Sequence, residues 1–199
     1  MIGRKTQNEM PTAFSTSRAL YEDELREMVD NFTCEFSLEY QDVLNINHEF
    51  FLKDTRPFRT ADTRRLDSLF MTSGGVCVVE FKRGLLTEND VIECGFGRGY
   101  FQLCYEQIPN FNKFLFIAEN VTQTKILFEK IKTPDNISVS CINYSQYINI
   151  HLNKYMVWSK ANREPLATTM QNVLDAKKHI PDTWLTESQL KAAITLLIS

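Results

Sequence analysis

The chain has 199 residues, 43% of them hydrophobic and 24% charged, with a formal net charge of −3. That length buries one sizeable core, and the composition is that of a globular chain rather than a disordered or fibrous one. The charge balance excludes a uniformly basic nucleic-acid coat, although a local basic face survives such an average.

The first dozen residues read as a flexible tail, assigned to 1–14. Ser15, Thr16 and Ser17 are N-cap candidates. The helical spacing of Leu20, Leu25, Met28, Val29 and Phe32 predicts a first helix from about Ser17 to Asn31. Loose alternation through Cys34, Phe36, Leu38 and Tyr40 predicts a strand over Cys34 to Ile46, and the charged stretch Asn47 to Ala61 reads as a loop. Leu66 to Met71 and Val76 to Val79 read as paired strands joined at Thr72-Ser73-Gly74-Gly75. Thr87-Glu88-Asn89-Asp90 resembles a capping box and opens a helix carrying Val91, Ile92, Phe96, Phe101 and Leu103. A strand over Lys113 to Ala118, a short helix over Gln123 to Ile131, a turn at Thr133-Pro134-Asp135-Asn136 and a strand over Ile137 to Ile142 follow. Beyond His151 the pattern gives two helices, Leu166 to His179 and Thr186 to Ile198, the second with a Thr186–Gln189 capping box. The expected architecture is an α/β domain over 15–150, with residues 151–199 as a helical extension packed on it.

The chemistry gathers on the hairpin. A turn centred between Ser73 and Gly74 sets Asp67 directly opposite Glu80, with Cβ atoms about 5 Å apart. Side-chain alternation puts Glu80 and Lys82 on one face and turns Phe81 away. Opposed carboxylates destabilise a strand pair unless a cation compensates, and a hard dication such as Mg²⁺ or Mn²⁺ suits oxygen donors.

Asp67, the Glu80-Phe81-Lys82 triplet, the hairpin between them and the downstream Gln102-Leu103-Cys104-Tyr105 together resemble the PD-(D/E)XK nuclease superfamily, in its resolvase-like and RecB-like members. Leu66 stands where a proline is common in that superfamily. The resemblance covers roughly Ser17 to Asn143. It implies a restriction-endonuclease-like core, a central mixed sheet of four to five strands flanked by helices in the order αβββαβ. It also implies a Mg²⁺- or Mn²⁺-dependent nuclease acting on DNA, in recombination, repair, restriction or mobile-element biology. An RNA endonuclease of the same fold, with His48 as a ligand, and a non-catalytic binding module are the alternatives.

On that resemblance Asp67, Glu80 and the Phe81 carbonyl hold the metal, and Lys82 orients water and stabilises charge. A further carboxylate is expected from the first helix, where Glu22 lies about 60° from the buried stripe centred on Leu25. Glu22-Asp23-Glu24-Leu25 also looks like the family's E-x-E-L, so Glu22 is preferred and Glu24 is next. Gln102 and Tyr105 share a helix face, which the resemblance places over the metal. Arg56, Arg59, Arg64, Arg65, Lys82 and Arg83 cluster in sequence around the site. Of these Arg64, Arg65 and Arg83, together with Arg98 and Tyr105, are the nucleic-acid-binding candidates. His151 and His179 read as structural or exposed residues. Five cysteines without a C-x-x-C read as free thiols, with no zinc site. No signal peptide or membrane-length apolar run appears, so the expectation is an intracellular protein with no membrane partner, cytoplasmic or nucleoid-associated, or in the host cytoplasm or nucleus for a viral chain. The last helix is a candidate homodimer face.

Overall fold

The computed structural model describes residues 21–40, 43–57, 62–121 and 137–199. The tail over 1–14, the N-cap candidates Ser15 to Ser17, Arg59, the helix expected over Gln123 to Ile131 and the turn at Thr133 to Asn136 lie outside them.

Helix α1 spans Glu22–Tyr40 and opens with Glu22, Asp23 and Glu24, which complement the positive end of its dipole. Leu25, Val29 and Phe32 are fully buried, worth about 1.5–3 kcal/mol each. The helix therefore overruns the expected strand at Cys34 to Ile46. Phe32, Phe36 and Tyr40 keep the four-residue spacing, and no proline or glycine interrupts it. Strand β1 is Val43–Lys53, most of which had read as loop. Among the described residues it is an edge strand that pairs only with β2, so part of its polar side faces solvent and the apolar alternation is blurred. Glu49 adopts φ 52° at an irregular point of this strand.

Strands β2 (Thr63–Thr72), β3 (Gly75–Leu85), β4 (Phe111–Asn120) and β5 (Ser138–Asn143) complete a five-stranded mixed sheet in the order β1-β2-β3-β4-β5. The first three strands are antiparallel, and β4 and β5 run parallel to β3. Between β3 and β4 the chain forms α2 (Glu88–Ile92), a π-helical turn (Glu93–Gly97) and α3 (Tyr100–Gln107). The Thr87–Asp90 capping box forms as expected. The single expected helix is instead broken at Gly99, whose φ is 73° and where a Cβ would collide with the Arg56 guanidinium.

The sheet is covered on both faces. One face packs Leu66, Leu69, Val78 and Phe116 against Val91, Phe101 and Leu103 of the α2–α3 layer. The other packs Phe70, Val79, Phe81 and Ile117 against α1 and a long helix, α4 (Tyr144–Ala161), absent from the sequence reading. Tyr144, Tyr147, Ile148, Leu152, Tyr155 and Met156 line its buried side, and an Asn143–Gln146 capping box starts it. The expected division between 150 and 151 falls inside this helix. Helices α5 (Leu166–Lys177) and α6 (Glu187–Ile198) follow, with the Thr186–Gln189 capping box in place. Val173, Ala176, Trp184 and Ala193 join the same core. Among the described residues no helix is long and apolar enough to cross a membrane.

Candidate active site

The β2–β3 hairpin turns at Ser73 and Gly74, centred as expected but shorter than the Thr72–Gly75 connection read from the sequence, and its register runs from Thr72↔Gly75 to Ser68↔Val79. Gly75 is required at the strand start: its φ is 129°, and a Cβ would sit 2.7 Å from the Asn110 carbonyl. The ladder then stops. At the next position the carboxylates take over the role of backbone acceptors. The Asp67 amide donates to Glu80 Oε1 at 3.3 Å, and the Phe81 amide donates to Asp67 Oδ2 at 2.9 Å. Side chains thus stand where main-chain bonds would continue, and the two strands part around a pair of acids.

Glu80 is 3% exposed. Burial, followed by the charge of Asp67, pushes its carboxyl well above the usual range, against the opposing pull of Lys82. Burial raises Asp67 as well, partly offset by the Phe81 amide. Lys82 Nζ donates to Glu22 Oε1 at 2.9 Å, joining β3 to the first turn of α1. Burial opposes its charge, but the Glu22 bond and the nearby carboxylates carry its ammonium above its ordinary value. Glu22, rather than Glu24, therefore reaches the site. Glu24 accepts from the Tyr21 amide at 2.8 Å, and Glu27 is exposed.

Other expected residues fall elsewhere. Gln102 is exposed and donates to Glu106 Oε1 at 2.5 Å, and Tyr105 is exposed, so neither is brought to the acid pair. The break at Gly99 restarts the helix and turns Tyr100, Phe101, Leu103 and Cys104 inward. After burial, the charge of Glu80 is the next influence raising the pKa of Cys94, Tyr100 and Cys104. Sequence reading missed Tyr100, whose hydroxyl donates to the Arg65 carbonyl at 2.9 Å. Arg64 is also drawn away. Its Nε and the Arg56 Nη2 both lie 2.9 Å from Oδ2 of buried Asp54. The Arg56 hydrogen bonds hold the Asp54 carboxyl far below the usual range. Arg56 also donates to the Arg98 carbonyl, anchoring the bend before α3. Arg65 and Arg98 keep side chains 47% and 46% exposed beside the site, and Arg83 is exposed at the end of β3.

Behind Asp67, Phe81 stacks on Tyr144 at 6.5 Å between centroids, and Tyr144 stacks on Trp184 at 4.5 Å. The Tyr144 hydroxyl donates to the Lys82 carbonyl at 3.2 Å, so α4 and the C-terminal segment brace the strand that carries the acid and the lysine. His48 is occupied on the α1 side, its Nδ1 lying 2.8 Å from Asp30 Oδ2. The Ser68 hydroxyl donates to the same oxygen at 2.7 Å, and Asp30 Oδ1 is buried without a partner. His151 is buried against Tyr147, and His179 lies 3.4 Å from Glu35. All five cysteines are free.

Among the described residues no three His, Cys, Asp or Glu side chains already converge as a chelating set. The acid pair instead offers two oxygen donors, which fits a dication that retains water, as Mg²⁺ does, and not a closed zinc centre. Comparison with family models and with curated proteins returns no match. Among solved structures, the chain is similar to a crystal structure of a protein of unknown function, AF1548, at 10% identity and a TM-score of 0.43, covering 86% of this chain and 94% of that one.

Proposed function

We propose that the chain is a divalent-metal-dependent nuclease that hydrolyses phosphodiester bonds, of DNA before RNA, on a restriction-endonuclease-like core of the PD-(D/E)XK kind. The observation that carries this reading is the opened ladder: Asp67 and Glu80 face each other across it, each accepting a main-chain amide. Lys82 follows one alternation later on β3. The element order α1-β1-β2-β3-α2/α3-β4 supports the same core.

Two carboxyls raised by burial, Glu80 also by the charge of Asp67 and Asp67 also by that of Glu22, need a nearby positive charge to ionise together, which is the fit that a dication provides. Asp67 and Glu80 would hold it, with the Phe81 carbonyl and a water-bridged Glu22 as further donors. Bound there, it supplies Lewis acidity and an acidified water. The chain's own groups do the rest. Lys82 exchanges Glu22 for a scissile phosphate oxygen, orients the attacking water and offsets the developing charge. Arg65, Arg83 and Arg98 grip flanking phosphates; Arg64, Gln102 and Tyr105 drop out of the machinery. His48 is bonded to Asp30 rather than to the acid pair, which favours the DNA reading over an RNA endonuclease with a histidine ligand.

Incubation with Mn²⁺ and linear duplex, single-stranded and branched DNA, and with RNA, tests the reading. Wild type should cleave at least one DNA, and Lys82→Ala should lose about 10²-fold or more while still binding Mn²⁺. Equal activity in the variant would refute the mechanism.

A further inference from the structure

We propose, on the basis of the nuclease reading, that Arg26 of α1 and Arg65 of β2 form a seat for a strand phosphate beside the scissile one. Glu49 of β1 fills that seat until the strand displaces it. The β1–β2 ladder holds His48↔Ser68 and Phe50↔Leu66, so Glu49 and Asp67 fall level with each other between those pairs. There Glu49 takes a φ of 52°, uncommon for a residue other than glycine. Its Oε1 accepts from Arg26 Nη1 at 3.3 Å and from Arg65 Nη1 at 3.4 Å. Two guanidinium groups from different elements thus converge on one anionic oxygen, and without an anion between them they would repel. Arginine binds phosphate oxygens as it binds carboxylate oxygens, so a phosphodiester can take the place of Glu49.

The seat adjoins the acid pair. Arg65 is two residues from Asp67 on β2, about 7 Å along the strand, and its charge pulls the Asp67 carboxyl down against burial. Arg26 lies one helical turn beyond Glu22, which binds Lys82. Two couples therefore stand side by side where α1 meets the sheet: Lys82 with Glu22, and Arg26 and Arg65 with Glu49. In each, a carboxylate of the chain holds the cations that a strand would need. The Glu49 and Arg65 side chains are 43% and 47% exposed, and a bridge so open to water adds little stability, so exchanging it costs little. Arg26 also lies 3.3 Å from Asp23, which steadies it when Glu49 leaves.

Fluorescence anisotropy of labelled single-stranded and duplex DNA with the full chain in EDTA reads binding without cleavage. Glu49→Gln keeps the shape of the side chain and removes the competing charge. It should bind at least one of the DNAs about fivefold or more tightly than wild type, at an unchanged Tm. Arg65→Gln, at an exposed position, should weaken binding about fivefold. In an Arg26→Gln/Arg65→Gln background, Glu49→Gln should change Kd by less than about twofold. No tightening in folded Glu49→Gln, or the same tightening without the two arginines, would overturn the seat and leave the nuclease reading standing. Failure of wild type and Glu49→Gln alike to bind either DNA would overturn both. The expected set of affinities without Mn²⁺-dependent cleavage would uphold the seat and refute the nuclease.

Discussion

Asp30→Asn removes a buried charge that the fold holds at a cost. Asp30 is 1% exposed, and burial raises its carboxyl from 3.8 to about 6, against the Ser68 hydroxyl, His48 and Arg26. A carboxyl raised in the folded state binds its proton more tightly there than in the unfolded chain. Its stabilising contribution is therefore whole below about pH 4 and is lost as pH rises through about 6. Moving the carboxyl from 3.8 to about 6 corresponds to about 3 kcal/mol. Asparagine imitates the protonated acid: its carbonyl still accepts from Ser68, and its amide takes the place of the unpartnered Oδ1. Urea unfolding of both proteins from pH 4 to pH 7.5 in EDTA reads the Asp30 contribution together with its His48 contact, while Asp67 and Glu80 are common to the two. The curves should meet near pH 4, and the variant should gain up to about 3 kcal/mol relative to wild type by pH 7, roughly 6–12 °C in Tm. Parallel curves across that range would show that Asp30 is ionised in the fold at acid pH, and the burial argument would fail.

Calorimetry with Mn²⁺ should show affinity rising with pH, because the raised Asp67 and Glu80 carboxyls must release protons to bind, and Glu80→Ala should abolish the heat. Pre-bound affinity independent of pH would contradict those shifts. Tyr144→Phe removes the hydrogen bond to the Lys82 carbonyl while keeping the aromatic stack. It should cost about 1 kcal/mol of stability and lower kcat with KM little changed. Asp54→Asn weakens the acceptor shared by Arg56 and Arg64, so it should destabilise by about 1–3 kcal/mol, read as a lower Tm.

Local rules carried the hairpin. A turn centred between Ser73 and Gly74 sets the register, which the strands keep as far as Ser68↔Val79; Asp67 and Glu80 stand just beyond that last pair, joined by side-chain bonds to the main chain rather than by the ladder. The capping boxes at Thr87 and Thr186 were legible for the same reason: their partners lie three residues apart. The Asn143–Gln146 box was equally local and marked α4, but polar and aromatic residues masked the helical stripe behind it. Contacts between distant residues decided the remainder. α1 continues to Tyr40, and β1 is recognisable as a strand only through its pairing with β2. Arg56, brought against Gly99, accompanies the break that turns Gln102 and Tyr105 outward and Tyr100 inward. Asp30, His48 and Ser68 come from three separate elements, so no spacing announces them. Periodicity reports which side of an element is apolar; only packing determines what that side meets, and hence which charges end in water and which do not.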